Sequence, residues 1–317
     1  MRLYFENAVD ANVSYRWALG SASVRRIAAI ADRFRQLLLD EYRRERNVQE
    51  CRYLPWMAVR SRRDALSPLI TRTCVLPNAL RLVDNAHNLE LLADALRDKE
   101  HAVAAIVPQD IGVEVLTDTS LLAGWAEKLQ EAEATLNLVV PWMGALCRHI
   151  LQFVVPIRHQ LDGHPKKRGF STPLCYGAIF LTFEDRIQSE PWSVIELAID
   201  LAHELGHHVL HTYQTADRII SSDLTAPVYS GIKRTTRPAI MSLHASMALA
   251  YMLIAACCLQ KRCLDRLMSA RLSKIIEDYA TQQYHALSEI RAHCTFTALG
   301  KHILHDLQET LERPSGA

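Results

Sequence analysis

Apolar positions recur at helical spacing over roughly the first 155 residues of the chain. Hydrophobic residues return every three or four positions in 25–46, 79–107 and 120–152, with charged and polar residues between them. This is the period of an amphipathic helix. We therefore predict three helical stretches, the last of them capped by Thr119 or Ser120.

The pattern changes near residue 151. Residues 151–157 and 176–183 are short, apolar segments rich in β-branched or aromatic residues, and a polar turn at 162–168 separates them. Such segments are typical of strands. Helical spacing then returns, and we predict one helix over 189–213 and further helices over 238–312. The apolar run 245–259 is shorter than the roughly 20 residues of a membrane span, so we expect a buried core helix there.

This order of elements predicts an α+β fold in which helix predominates, with a zincin-like motif helix beside a small β-sheet. We expect a mainly helical N-terminal region over 1–150 and a metal-binding catalytic region over 151–317. These regions are two domains or parts of one continuous domain. The 317 residues are enough to bury a large core.

Charge and cysteine content narrow the function classes. The chain has 36 Lys and Arg against 35 Asp and Glu, so its net charge gives no reason to expect nucleic acid or a membrane surface as a partner. None of the eight cysteines forms a Cys-x-x-Cys pair, which argues against thiolate zinc ribbons and thioredoxin-like redox chemistry. We expect free thiols and a cytoplasmic protein, since the first residues also lack the apolar core of a signal peptide.

The candidate chemistry lies in a His-Glu-Leu-Gly-His motif at 203–207. Residues four apart on a helix are about 40° apart around its axis and about 6 Å along it, so His203 and His207 can reach one metal ion. Glu204 lies on the flank, where a carboxylate can touch a metal-bound water. Leaving such groups unpartnered on a mostly buried helix is unfavourable, which supports a metal site. We expect His211 beside the site or exposed, and His208 at the surface.

Two imidazoles rarely hold a catalytic metal alone, so a third ligand is required. The metzincin spacing would place a histidine at Tyr213, and no glutamate occurs between the motif and residue 277. Asp217 and Asp223 are available but lie in a predicted polar loop. His244 begins the apolar segment 245–259, which we expect to pack against the motif helix, so His244 is our predicted third ligand.

Three cations come shortly before His244: Lys233, Arg234 and Arg237. The planar guanidinium of arginine matches both oxygens of a carboxylate. Arg237 precedes Pro238 at the predicted start of a helix, which would fix its position. We predict that Arg237 binds a carboxylate, with Lys233 and Arg234 as the alternatives for that role.

Together these segments resemble a known family, the HExxH-type peptide-modifying enzymes of ribosomally made peptide natural products. The resemblance covers about residues 173–260. It rests on the motif at 203–207 and on Tyr229-Ser230, Arg237-Pro238 and Leu243-His244. Members of this family are described as Fe(II)- and 2-oxoglutarate-dependent peptide β-hydroxylases.

The resemblance implies a cofactor set and a partner. Fe(II) would be held by His203, His207 and His244, with the distal carboxylate of 2-oxoglutarate on Arg237. Glu204 would ligate the iron or lie behind its ligands. The implied substrate is a peptide, such as a leader-bearing precursor, which would be hydroxylated at a side-chain β-carbon.

Two other functions fit the same residues. In a zincin-type zinc peptidase, Glu204 would be the general base and Tyr229 would stabilise the oxyanion. For either enzyme, we expect the peptide to lie along segment 176–183 as an edge strand of the sheet. The second alternative is a non-catalytic helical interaction protein with a structural zinc ion.

Overall fold

A computed structural model of the chain describes residues 18–46, 81–82, 90, 113–159, 169–171, 176–182, 192–230 and 235–312. Helix predominates in these residues, as predicted. The helices are α1 (Ser21–Arg46), α2 (Leu122–Val139), α3 (Pro141–Ile150), α4 (Trp192–Ala216), α5 (Ala239–Arg262), α6 (Arg266–His293) and α7 (Ala298–Glu312). The strands are β1 (Arg81–Leu82), β2 (Val113–Val115), β3 (Phe153–His159), β4 (Gly169–Ser171), β5 (Ala178–Thr182), β6 (Pro227–Ser230) and β7 (Thr235–Pro238).

The helical predictions for the N-terminal half hold in part. The structure confirms α1 and, over the third stretch, α2 and α3, which meet at Pro141. A short 3₁₀ turn precedes α2, and its cap is Asp118, whose carboxylate accepts from the backbone N–H of Ser120 at 2.9 Å. The prediction of Thr119 or Ser120 as the cap was wrong. The prediction of a helix over 79–107 was wrong at Arg81–Leu82, which forms β1. Most other residues of this stretch lie outside the described part of the chain.

The five strands β1 to β5 form one mixed sheet. β5 pairs with β3 in parallel and with β4 antiparallel, while β1 and β2 pair with different stretches of β3. β3 and β5 confirm the two predicted strands. The prediction that segment 176–183 is an edge strand was wrong, because β5 has a paired neighbour on each side. All five residues of β5 are buried, which explains its continuous apolar run.

The chain divides into two compact units. The first contains the described residues of Met1–Ile30, Ala132–Leu146 and Ile195–Ala317, and the second those of Ala31–Glu131 and Cys147–Val194. The five-stranded sheet belongs to the second unit, and the predicted metal-binding residues belong to the first. The predicted functional division at residue 150 stays a prediction.

Helix α5 is the centre of the first unit. Its segment from Ser246 to Leu259 is almost wholly buried, which confirms the predicted core helix. The helix is long and apolar enough to cross a membrane, but most of its apolar window lies inside the protein. The Tyr251 ring packs edge-on against Trp142, and its hydroxyl donates to the buried carbonyl of Ala18 at 2.7 Å. A buried helix of this kind holds its neighbours in fixed positions.

The last two helices and a hairpin surround α5. Helix α6 packs along α5, α7 contacts both, and the antiparallel hairpin β6–β7 packs against α5 and α6. Asp265 begins α6 by accepting from the Met268 backbone N–H at 2.8 Å. The described cysteines are free thiols. The hairpin leads directly into α5, which places Arg237 two residues before that helix.

Candidate metal centre

Helix α4 carries the candidate site because its apolar face is buried and its histidines share one face. Leu201, Ala202 and Leu205 are fully buried. His203, His207 and His211 follow at intervals of four residues, so each lies about 6 Å beyond the previous one along the axis. They form a row of imidazoles on the side of α4 that faces α5.

The structure brings the first two histidines to the spacing of metal ligands. The Nε2 atoms of His203 and His207 are 3.1 Å apart. Two nitrogens that bind one metal at about 2.0–2.1 Å are about 3.0–3.4 Å from each other, depending on the angle at the metal. Without a metal, this distance also accommodates an N–H···N hydrogen bond. The predicted pair therefore has the right donor atoms at the right separation.

Met252 on α5 orients the first of these rings. Its sulfur lies 2.9 Å from Nδ1 of His203. A thioether sulfur only accepts, so the contact favours a proton on Nδ1 and leaves the lone pair on Nε2, where His207 lies. Sequence reasoning missed this residue, whose only signal was its position two helical turns after His244.

His244 joins the row from α5, but it lies nearest to His211. Its ring centroid is 5.7 Å from that of His207 and 4.2 Å from that of His211. Its Nε2 lies 3.0 Å from Oε1 of Gln214, which also lies 3.2 Å from Nδ1 of His211. The predicted third ligand is thus beside the pair, with one ring nitrogen engaged by a glutamine that sequence reasoning missed.

Gly206 allows α4 and α5 to come this close. A Cβ atom at this position would lie 2.9 Å from Cα of Ala248 and 3.0 Å from the carbonyl oxygen of Met247. A side chain at this position would force the two helices apart, because both nearest atoms belong to the backbone. The glycine inside the motif is therefore a packing requirement for bringing His244 to the histidines of α4.

Two expectations about the neighbouring histidines are now decided. The prediction that His208 lies at the surface was wrong, since the residue is fully buried. It turns toward the interior of the unit, because one further residue rotates the side chain by about 100° around the helix. His211 lies beside the site, which was one of the two positions expected for it.

The imidazoles of His207, His211 and His244 are held in their neutral form. Burial, followed by the nearby histidines, places the pKa of His207 and of His244 well below the ordinary value. Burial lowers the pKa of His211 to about 4, against a smaller opposite effect of Gln214. A metal-binding imidazole must be neutral to offer its lone pair. These rings are therefore in the required state near neutral pH.

Glu204 is buried beside the histidine pair. Glu204 is 2% exposed, and its Oε1 atom lies 3.8 Å from Nε2 of His203. This distance is too long for a strong hydrogen bond, but it places a carboxylate next to the nitrogen that would bind a metal. Glu204 therefore lies beside His203, and its role at a metal stays a prediction.

Arg237 and Tyr229 lie on opposite faces of the hairpin β6–β7. Arg237 pairs with the buried Val228, whereas Tyr229 belongs to the alternate face and is 46% exposed. Arg237 is half-buried, and burial lowers its pKa. No carboxylate pairs with it among the described residues. Lys233 and Arg234 lie outside the described residues.

The candidate ligands do not form a complete metal site. Across the described ranges, no three His, Cys, Asp or Glu side chains converge closely enough to enclose a metal ion. The donor set nevertheless fits one chemically, because His203 and His207 have ligand spacing and His244 is a neutral imidazole next to them. No protein-family model matches the chain, and no curated protein matches it at a significant level.

Proposed function

We propose that this protein is an Fe(II)- and 2-oxoglutarate-dependent oxygenase that hydroxylates a side-chain β-carbon of a peptide. His203, His207 and His244 would hold the metal, and Arg237 would bind the distal carboxylate of 2-oxoglutarate. The observation that carries the proposal is the 3.1 Å separation of the two Nε2 atoms. The resemblance described above supplies the choice of iron.

Under this proposal, the histidines would act as metal ligands and Glu204 would lie next to them. When bound, Fe(II) would supply the redox chemistry by which dioxygen gives one oxygen atom to succinate, as CO2 leaves 2-oxoglutarate, and the other to the hydroxyl group of the peptide. His207 and His244, whose imidazoles are neutral, would bind the metal without releasing a proton. Together with His203 they would make three ligands, which leaves coordination positions open. Glu204, buried beside His203, would lie behind the metal ligands or ligate the metal directly.

Arg237 supports a co-substrate with a carboxylate. A half-buried guanidinium that has no carboxylate beside it among the described residues is suited to bind the two oxygens of a ligand carboxylate. His244 is the sixth residue of α5, so it lies about 7.5 Å further along the helix axis than the first residue. A short dicarboxylate could extend from the metal ligands toward the start of the helix.

The remaining expectations belong to this proposal. They are a zincin-like placement of α4 beside the sheet, a peptide or leader-bearing precursor as the partner, and the cytoplasm as the compartment. A peptide cannot pair with β5, since both sides of that strand are occupied. Binding of the substrate must use another surface.

A zinc peptidase is the second candidate, and the burial of Glu204 next to His203 favours it. A glutamate in that position is the general base of zinc peptidases. The two candidates differ in their metal and in their need for 2-oxoglutarate. Arg237 has a role in the oxygenase and none in the peptidase.

The test is anaerobic reconstitution with Fe(II), followed by titration with 2-oxoglutarate. If the protein is the oxygenase, a weak visible charge-transfer band should appear when 2-oxoglutarate is added. The band should disappear when oxygen is admitted, and succinate should then form. His203→Ala and His207→Ala should abolish it, while His285→Ala, an exposed histidine on α6, should leave it unchanged. If the protein instead retains zinc, shows no band and cleaves members of a peptide library, the oxygenase proposal is refuted and the peptidase is supported.

The role of Arg237 is tested in the same assay. Arg237→Ala should raise the 2-oxoglutarate concentration needed for half of the band at least tenfold and leave the iron content unchanged. Arg266→Ala, an exposed arginine at the start of α6, is the matched control. An unchanged 2-oxoglutarate requirement in Arg237→Ala would exclude Arg237 from the site.

A further inference from the structure

We propose that Gln214 is the positioning residue of the metal centre, and that it makes His244 a ligand through Nδ1 rather than Nε2. This inference rests on the proposed metal centre. His244 and His211 share one contact, the side-chain oxygen of Gln214. Oε1 of Gln214 lies 3.0 Å from Nε2 of His244 and 3.2 Å from Nδ1 of His211.

A carboxamide oxygen only accepts hydrogen bonds, so each of these ring nitrogens must donate. A neutral imidazole carries one proton, and the other nitrogen then has the lone pair. The contact therefore leaves the lone pair of His244 on Nδ1 and that of His211 on Nε2. A single side chain sets both tautomers.

The position of Gln214 on α4 explains why it can do so. It follows His211 by three residues and His207 by seven, so it lies on the face of the helix that carries the histidine row. Because α5 is held against α4 at Gly206, His244 comes within reach of the same carboxamide. Two helices thus contribute to one shared hydrogen-bond acceptor.

Metal-binding histidines nearly always donate their second ring N–H to an acceptor, which fixes the tautomer and the orientation of the ring. Gln214 provides this acceptor to His244, and the sulfur of Met252 has the corresponding place at His203. The two ends of the histidine row therefore have different acceptors. His203 presents Nε2, whereas His244 presents Nδ1.

The opposite orientation of the amide would have the opposite effect. If the NH₂ group faced His244, it would donate to Nε2, and the proton of the ring would move to Nδ1. No lone pair would then remain for a metal. The direction of this one amide decides whether His244 is able to serve as the third ligand.

The first test reads the tautomers in the metal-free protein. Nitrogen-15 spectra of protein labelled in its histidines, assigned with His244→Gln, should show His244 protonated on Nε2 and unprotonated on Nδ1 near neutral pH. A His244 ring protonated on Nδ1 would overturn the proposal. This measurement needs no metal and no activity.

The second test measures binding of Co(II) alone, by competition with a chelating dye. Gln214→Met keeps the length of the side chain and removes the acceptor, so affinity should fall about 10–100-fold. Gln214→Glu keeps an acceptor oxygen and should bind at least as tightly as the wild type. Gln260→Met, at a glutamine on α5 that donates to the hydroxyl of Ser273, is the matched control.

The outcomes separate this inference from the proposed function. Unchanged affinity in Gln214→Met, with circular dichroism like that of the wild type, would overturn the positioning role. If Gln214→Met does not fold, the comparison of Gln214→Glu with the wild type and the tautomer of His244 decide instead. A wild-type protein that binds no Co(II) but has the expected tautomer would refute the metal centre while leaving the hydrogen-bond assignment intact.

Discussion

Gly206→Ala tests the close approach of α4 and α5 on which the candidate site depends. The new Cβ would lie 2.9 Å from Cα of Ala248 and 3.0 Å from the Met247 carbonyl oxygen, whereas carbon atoms in contact are normally about 3.5–4.0 Å apart. Both obstacles are backbone atoms, so no side-chain rotation relieves them. The helices would have to separate by several tenths of an ångström.

The magnitude follows from two opposing effects. Overpacking of a core costs typically about 1–3 kcal/mol, and rigid obstacles place this position at the upper end. Replacing glycine by alanine within a helix contributes up to about 1 kcal/mol in the opposite direction. We expect the free energy of unfolding to fall by a net amount of about 1–2 kcal/mol.

Denaturant unfolding followed by circular dichroism measures this change. Gly124→Ala is the matched control, because Gly124 is an exposed helical glycine with nothing within 4 Å of its new Cβ. It should raise the free energy of unfolding by up to about 1 kcal/mol. Gly206→Ala should also bind Co(II) more weakly, because separating the helices moves His244 away from His207. A Gly206→Ala protein as stable as Gly124→Ala would refute the reasoning.

Three further predictions concern the frame around the site. Asp265→Ala removes the cap of α6 and should lower the free energy of unfolding by about 0.5–2 kcal/mol in urea titrations, and no change would mean that the cap contributes nothing. Tyr251→Phe leaves the buried carbonyl of Ala18 without its 2.7 Å donor and should lower the free energy of unfolding by about 1–3 kcal/mol. Tyr284→Phe, at a ring that is 64% exposed, should change it little, and equal effects would contradict the assignment. Burial raises the pKa of Cys257 to about 12, so iodoacetamide at pH 8, followed by mass spectrometry, should label this thiol far more slowly in the folded than in the unfolded protein. Labelling at equal rates would show that the thiol is exposed.

Local pattern was sufficient for most of the secondary structure that could be compared. The helical period predicted α1, α4 and the helices of the last third, and short apolar runs predicted β3 and β5. Such signals work because burial of one helical face or of a whole strand repeats with a fixed period. The two-residue and three-residue strands β1 and β2 are too short to show such a period, and both pair with β3.

The candidate site divides in a similar way. A spacing of four residues was enough to place His203 and His207 on one face of a helix, and that pair is found at 3.1 Å. The choice of His244 followed from the need for a third ligand, and the structure places it in the same row. The histidine pair depends only on positions within one helix, which the sequence determines by itself, whereas the place of His244 also depends on the packing of α5 against α4.

Only the tertiary structure decided the rest. His208 is buried, His211 is the nearest histidine neighbour of His244, and Gln214 connects these two rings. Each of these facts depends on which face of α4 meets α5, and on how closely Gly206 lets the helices approach. A sequence shows which residues share a face, but contacts between distant segments depend on the packing of the whole core.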